Sequence, residues 1–368
     1  MVRAMDAPKF LEIANYPPPM CGWAMETKLV VEQLRSDGYI CEVLKINENR
    51  RIKSLEYIDV QNGFDYLRKI VRFALRGYTF HVHVAGGAWK GYVLALLALL
   101  VNRAAGKSAF LTFHGGYPQP YFPRPPHSPV GFAFKVLFAL AAAVRCDSDE
   151  IKRAIESYGI SPKRVAAIAA FSPQYLTFPV VQLPANVENF LTRRRPVFFC
   201  YVCYRPEYRL EVLRRGMANF RQHYPNAGFI WLGFPQKELR IAEKWISDWL
   251  ASERDSLLLL GNVEHPVFLT LLQRCFACIR TPACDGVSAS VLEALAMGIP
   301  VIASENHRRP AGVITYQEND PHDLCSKLLV TLKDYQPERG SPAPVATVDN
   351  VQFIIDWLLR GSDTPPRD

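Results

Sequence analysis

The sequence predicts an α/β protein built from two doubly wound domains with parallel sheets. Three observations lead there. The chain has 368 residues, comfortable for two domains of about 100 to 200 residues each. Short apolar runs alternate with longer helical patterns from end to end, the mark of repeated βαβ units. The alternation breaks once, at a stretch rich in Pro and aromatic residues that ends in three arginines, and then starts afresh. Hydrophobic residues make up 49% of the chain and charged residues 21%, which supplies a large core and argues against extended disorder.

In the first half the pattern places strands at Phe10 to Ala14, Ile40 to Lys45, His81 to Ala85, Ala109 to Phe113 and Val165 to Ile168, with helices between them. The segment Phe171 to Arg195 breaks the rhythm and precedes a fresh strand, Pro196 to Tyr204, so the first domain is expected to span residues 1–190. Strands near Phe229 to Leu232, Leu257 to Leu260, Phe276 to Arg280, Val301 to Ala303 and Val313 to Tyr316 then build a second domain over 191–345. Asp334 to Thr347, with three prolines, reads as a linker. It leads to a last amphipathic helix, Val348 to Leu359, within a closing segment 346–368 that is expected to lie back across both domains.

The opening residues have no long apolar stretch behind the first basic residue, so they do not read as a secretory signal. The two most apolar runs, Tyr92 to Val101 and Val130 to Val144, fall short of the roughly 20 residues of a membrane helix and read as buried core helices. Nine scattered cysteines do not form the dense framework of a small secreted domain and fit a reducing cytoplasm. A formal net charge of +8 favours a phosphate-rich partner: a nucleotide, an anionic lipid surface or a nucleic acid.

In doubly wound domains the chemistry belongs in the loops after strands, and four stand out. The first, Asn15 to Trp23, enters a helix near Ala24, and Gly22 would let backbone N–H groups approach an anion at that helix end; an ordinary βα turn is the alternative. The second, Thr112-Phe-His-Gly-Gly116, sets His114 where it can bond a sugar hydroxyl or a phosphate, or else serve as a structural histidine. The third, Tyr204 to Arg209, offers Arg205 and Arg209 to a diphosphate leaving group, with solvated surface arginines as the alternative.

The fourth loop, Thr281 to Ser304, carries the most. A strand leads into small residues, a helix opens near Ser288, and Gly298-Ile-Pro300 ends it before the next strand. Free N–H groups of Gly286, Val287 and Ser288 can hold phosphate at that helix start. Glu293 inside the helix can take two ribose hydroxyls, and Asp285 can reach the transferred sugar.

This block resembles the signature of retaining glycosyltransferases of family four, in which two glutamates separated by seven residues precede a stretch like Ala-Met-Gly-Ile-Pro-Val-Ile-Ala-Ser. The first acid here is Asp285 where the family usually has Glu. The resemblance extends over nearly the whole chain, through Gly22, His114-Gly-Gly, Cys146-Asp-Ser-Asp-Glu and Gly312-Val after Arg308-Arg-Pro. It implies the GT-B fold of two facing Rossmann-like domains, with His114 touching the donor sugar or the acceptor. It also implies transfer from a nucleotide-sugar donor, UDP- or GDP-linked, to a glycan or lipid-linked acceptor in cell-surface polysaccharide or glycolipid synthesis. Such enzymes work in the cytoplasm, in peripheral contact with the inner membrane face. Where the family places an Arg and a Lys on the diphosphate, this chain has Cys203 and Tyr208, with Arg205 and Arg209 as substitutes. That departure keeps a second expectation open, a non-catalytic GT-B module binding nucleotide sugar or a partner within an assembly complex; a GT-B epimerase is a third.

Several motifs are set aside. Asp147-Ser-Asp149 looks like a metal-binding acid pair but suits a helix cap before Glu150 to Tyr158. Cys200/Cys203 and Cys275/Cys278 have zinc-like spacing, yet they fall in apolar strands where residues three apart face opposite sides. Gly106-Lys-Ser108 lacks the first glycine of a phosphate loop, and the arginines at 193–195 lack interleaved aromatics. No metal, no cofactor and no nucleic-acid partner are expected.

Overall fold

The computed structural model describes residues 8–18, 22–47, 54–283, 288–334 and 348–362. The chain divides into two compact units, one formed by Met1–Gln174 with Val348–Asp368, the other by Tyr175–Thr347.

Unit 1 runs β1 (Lys9–Ala14), α1 (Gly22–Ser36), β2 (Ile40–Lys45), β3 (Ile58–Asp59), α2 (Gly63–Leu75), β4 (Thr79–Ala85), α3 (Trp89–Ala104), β5 (Phe110–His114), α4 (Pro129–Leu140), β6 (Ala143–Cys146), α5 (Asp149–Glu156) and β7 (Val165–Ala167). Unit 2 runs α6 (Ala185–Arg193), β8 (Val197–Tyr201), α7 (Leu210–His223), β9 (Gly228–Phe234), α8 (Gln236–Ser247), α9 (Ala251–Asp255), β10 (Leu257–Gly261), α10 (His265–Arg274), β11 (Ala277–Arg280), α11 (Ala289–Ala296), β12 (Val301–Ser304), β13 (Val313–Tyr316) and α12 (Pro321–Asp334). The chain closes with α13 (Asn350–Ser362).

All strand pairs are parallel. The seven-stranded sheet has the order 3-2-1-4-5-6-7, and the six-stranded sheet has 10-9-8-11-12-13. Each order starts in mid-sheet, grows to one edge, then returns and grows to the other, which is the doubly wound scheme the alternation predicts. Such sheets are covered on both faces. In unit 2 Val197 and Phe199 enter one core with α6, α10 and α11, whereas Phe198 and Cys200 enter the other with α7, α8 and α12. In unit 1 Leu11, Ile13, Val82, Val84, Leu111 and Phe113 meet α2, α3 and α4. Phe10, Val43 and Phe110 meet α1 and α13 on the opposite face.

Three expectations shift. The run Val130 to Val144, read as one buried helix, is a helix and a strand, because α4 ends at Leu140 and β6 starts at Ala143. Hydropathy alone cannot separate two consecutive buried elements of different kinds. The change of unit falls at Gln174/Tyr175 rather than 190/191, because Leu183, Val187, Phe190 and Leu191 belong to the core of unit 2. Finally, Val351, Ile354, Ile355 and Leu358 of α13 are buried with Val30, Val31 and Leu34 of α1, so the last helix is part of unit 1.

The four cysteines with zinc-like spacing are buried, and burial raises the Cys278 thiol to about 12, the state of inert core residues.

Candidate active site

Ligands of doubly wound sheets bind at the carboxyl ends of strands, where the strand order reverses. In unit 2 that place is between the paired strands β8 and β11. The segments leaving it are 202–209 and 281–288, which are the third and fourth loops singled out in the sequence.

Arg280, the last residue of β11, is buried. Its Nη1 donates to the Tyr201 carbonyl at 2.9 Å, and its guanidinium lies 5.4 and 5.3 Å from the ring centres of Tyr201 and Tyr208. One cation thus ties the two segments together. Arg205 Nε donates to Glu238 Oε1 at 2.9 Å, and the other oxygen of Glu238 accepts the Tyr204 N–H at 3.1 Å. Arg209 sits in the left-handed region at φ 47° and donates through Nε to Glu318 Oε1 at 3.2 Å. Both arginines expected on a diphosphate are therefore held in ion pairs, and a phosphate must compete with Glu238 and Glu318 for them.

Cys284, Asp285, Gly286 and Val287 lie outside the described residues, so the expectations for Asp285, Gly286 and Val287 rest on the sequence. On the near side of that gap Arg309 donates to the carbonyls of Ser304 and Pro282, each at 2.8 Å, fixing where the segment leaves β11. On the far side Ser288 stands at the cap position of α11, and its hydroxyl pairs with Ser290 Oγ at 3.0 Å rather than with a helix N–H. Glu293 is buried in α11, and its Oε1 accepts from His265 Nε2 at 2.6 Å. The expected grip on two ribose hydroxyls is narrowed, since one carboxylate oxygen already serves His265.

In unit 1 the order reverses between β1 and β4. Here the sheet face under α1 and α13 carries a row of polar side chains: Glu12 of β1, His81 and His83 of β4, Thr112 and His114 of β5, and Arg145 of β6, all buried. Register aligns them, with Glu12 opposite His81, His83 opposite Thr112, and Thr112 opposite Arg145. Residues two apart share a face.

A donor-only neighbour fixes the tautomer of one histidine in this row. Trp23 Nε1, which can only donate, reaches His83 Nδ1 at 3.0 Å. The proton of His83 is therefore on Nε2, which donates to Glu12 Oε2 at 3.0 Å. His81 Nδ1 donates to the same carboxylate at 2.8 Å, and His81 Nε2 lies 2.7 Å from Thr112 Oγ1. Burial opposes ionisation of Glu12, but His81 and His83 outweigh it and hold its carboxyl at about 2. Burial keeps His83 well below the ordinary imidazole range, and its neighbour His81 adds to this.

His114, at the end of β5, lies with Nε2 2.9 Å from His83 Nδ1 and Nδ1 3.5 Å from Asp147 Oδ2, under the Trp23 ring at 4.4 Å. Asp147 also accepts the Gly115 N–H at 3.1 Å. Gly115 has φ 112°, and a Cβ there would sit 2.8 Å from Gln119 Nε2, which donates to the His114 carbonyl at 2.9 Å. The cap of α5 is Ser148, whose Oγ accepts the Ile151 N–H at 3.3 Å, so within Asp147-Ser-Asp149 the serine caps and Asp147 faces His114. Arg145 pairs with both oxygens of Glu26 and donates to the Ile168 carbonyl at 2.8 Å. Gly22 is the first residue of α1, two positions before the expected helix start, and the next residue, Trp23, brings that helix end to His114.

Among the described residues two sets have the spacing to hold a cation, Glu12/His81/His83 and Glu26/His83/His114, with donor atoms within 4.8 Å of one another. In the first, both imidazole N–H groups already serve Glu12; in the second, Glu26 already neutralises Arg145. Hydrogen bonding accounts for each set.

Sequence reasoning reached His114 and Gly22 but missed Glu12, His81, His83, Arg145, Trp23, Glu26, Arg280 and His265. A signal existed for several of them. His81-Val-His-Val84, Thr112-Phe-His114 and Val144-Arg-Cys-Asp147 alternate polar with apolar residues at strand period, which marks a sheet with one polar face.

No family model matches the chain, and no curated protein sequence matches it. Solved structures match over nearly its full length. Sucrose-phosphate synthase from Thermosynechococcus elongatus is similar at TM-score 0.68 and 14% identity, over 96% of this chain and 96% of that one. A glycosyltransferase from Rickettsia africae is similar at TM-score 0.63 and 14% identity, over 97% and 93%. UDP-GlcNAc 2-epimerase from Methanocaldococcus jannaschii, solved with UDP-GlcNAc and UDP, is similar at TM-score 0.62 and 14% identity, over 96% and 100%. These likenesses establish the fold, an α/β GT-B fold with one parallel sheet in each unit.

Proposed function

We propose that this protein is a glycosyltransferase that moves a sugar, with retention, from a UDP- or GDP-sugar to a glycan or lipid-linked acceptor in the assembly of cell-surface polysaccharide or glycolipid. The observation that carries this reading is Glu293, a buried carboxylate inside the helix that follows the loop at the strand reversal of unit 2. A ribose hydroxyl donates to its Oε2, while His265 fixes the other oxygen. Amides from Gly286 to Ser288 take the phosphates at the start of α11, and Asp285 takes the transferred sugar. Arg205 and Arg209 exchange Glu238 and Glu318 for the diphosphate, whose charge grows as it leaves. His114, preset by His83 and Asp147, bonds the sugar or the acceptor hydroxyl. A UDP-GlcNAc complex of one structural neighbour supports nucleotide sugar as the ligand class. Neither metal nor cofactor enters the proposed chemistry.

A second reading, a non-catalytic module that binds nucleotide sugar, is favoured by one observation: both candidate diphosphate cations are already matched by carboxylates. Incubation with UDP- and GDP-sugars and a membrane lipid extract separates the readings. Nucleotide release that requires the extract supports transfer. Donor binding without release supports the module, and conversion of the donor sugar with no acceptor points to an epimerase.

A further inference from the structure

Helix α2 is apolar around more of its circumference than its core uses. Tyr66, Ile70, Phe73 and Ala74 are buried in unit 1, yet Phe64, Leu67, Val71 and Leu75 are exposed, Phe64 by 79% and Leu75 by 80%. These four recur at helical spacing and form one stripe along the outside of the helix. Beside them stand Arg68, Arg72 and Arg76, all exposed. The acid of this helix, Asp65, is already engaged, with Lys69 Nζ at 2.6 Å, the Gln61 N–H at 3.0 Å and Arg68 Nη2 at 3.5 Å.

Helix α3 packs alongside, joined where Tyr66 Oη donates to the Leu94 carbonyl at 2.8 Å. It has an exposed apolar stripe of its own in Trp89, Val93 and Leu100, each at least 40% exposed, and carries exposed Lys90 and Arg103 at its two ends.

Apolar side chains this exposed mark an interaction surface, and the charge pattern selects the partner. A protein core interface is depleted in charge, whereas here arginines border the apolar stripe along its whole length. An amphipathic helix lying in a bilayer interface has that makeup: the apolar side chains enter the acyl boundary and the cations meet anionic headgroups. The net charge of +8 draws the molecule toward the same surface.

We propose that the outer face of α2 and α3 is the surface by which this protein adsorbs to a bilayer containing anionic lipid. The inference rests on the membrane side of the function proposed above and names the surface that serves it.

The test is co-sedimentation of the full chain with phosphatidylglycerol/phosphatidylethanolamine vesicles and with pure phosphatidylcholine vesicles. The wild type is expected to bind the anionic vesicles, to release with rising salt, and to leave the zwitterionic ones. Phe64→Ser with Leu75→Ser, and separately Arg68→Glu with Arg72→Glu, are each expected to weaken binding about tenfold or more. All four side chains are exposed, so circular dichroism and melting are expected to match wild type. Ile241→Ser, an exposed apolar change in unit 2, is expected to bind as wild type. Failure of the wild type to bind anionic vesicles, undiminished binding by both double variants, or an equal loss in Ile241→Ser would overturn the proposal. So would dissociation of a dimer by the double variants with vesicle binding intact, which would assign the face to a second copy. No sugar donor enters this test, so lipid adsorption and donor chemistry can fail independently.

Discussion

Glu12 offers a sharp test of how unit 1 is held together. Its carboxylate is fully buried and rests on two imidazole N–H groups, at 2.8 Å from His81 and 3.0 Å from His83. Burial works against ionisation, yet the two histidines hold the group at about 2 instead of 4.5. At about 1.4 kcal/mol per pH unit, that difference corresponds to about 3 kcal/mol in favour of the folded state at neutral pH. The sign follows from a depressed acid: the contribution is complete above 4.5 and fades as pH falls toward 2. Glu12→Gln removes it, and an amide can accept only one of the two N–H groups while turning a donor toward the other. Urea unfolding between pH 7 and pH 3 is the assay, with hydrogen exchange of β1 and β4 amides assigning the transition to unit 1. The wild type should exceed the variant by about 3 kcal/mol at pH 7 and by only about 1 to 2 kcal/mol at pH 3. An advantage that stays constant or grows on acidification would refute an ionised Glu12. His83 adds a second slope of the same sign in the wild type, because it stays neutral when folded and the unfolded chain takes up a proton as pH falls below 6.5.

Other outcomes follow from the same geometry. Glu293→Ala should weaken UDP or GDP binding about 10- to 100-fold by titration calorimetry, the worth of a hydrogen bond to a charged group; unchanged affinity removes it from the donor site. Asp285→Asn should abolish transfer while leaving nucleotide affinity near wild type, and full turnover in a release assay would dismiss its role. Arg145→Met leaves buried Glu26 without its cation and should cost about 3 to 5 kcal/mol in urea unfolding. Gly115→Ala meets both φ 112° and Gln119, so a loss of about 1 to 3 kcal/mol is expected in thermal melts.

The fold was legible because its signal is repetitive. Parallel strands covered on both faces read as near-continuous apolar runs, and runs such as Phe229 to Leu232 and Leu257 to Leu260 stand out between helices without any partner being known. The short edge strand β3, of two residues, has too little sequence to register as a run. The placement of α6 was hidden for a different reason. Its Pro-rich approach looks like a linker, and only the burial of Leu183, Val187 and Phe190 against unit 2 decides which core it serves.

The candidate site was legible where one contiguous segment carries it and illegible where distant strands assemble it. Ser288 and Glu293 sit on a single loop and helix, so their spacing announced them. The row from Glu12 to Arg145 is spread over four strands, and no window of sequence contains more than two of its members. What joins them is register: β1 beside β4 beside β5 beside β6. The alternation in β4, β5 and β6 marks a polar face on each strand but not which strands lie side by side. Only when the four are laid edge to edge do those residues become one face, on which Glu12 receives one N–H from His81 and one from His83. His265 marks the limit of such reading, since nothing near it in sequence signals that α10 begins against Glu293. The same logic applies to the arginines: the sequence displays Arg205 and Arg209 beside a strand end, but Glu238 and Glu318, which pair with them, arrive from helix and loop positions far along the chain. A cation next to a strand end is therefore evidence of a phosphate site only after the carboxylates that can reach it have been counted.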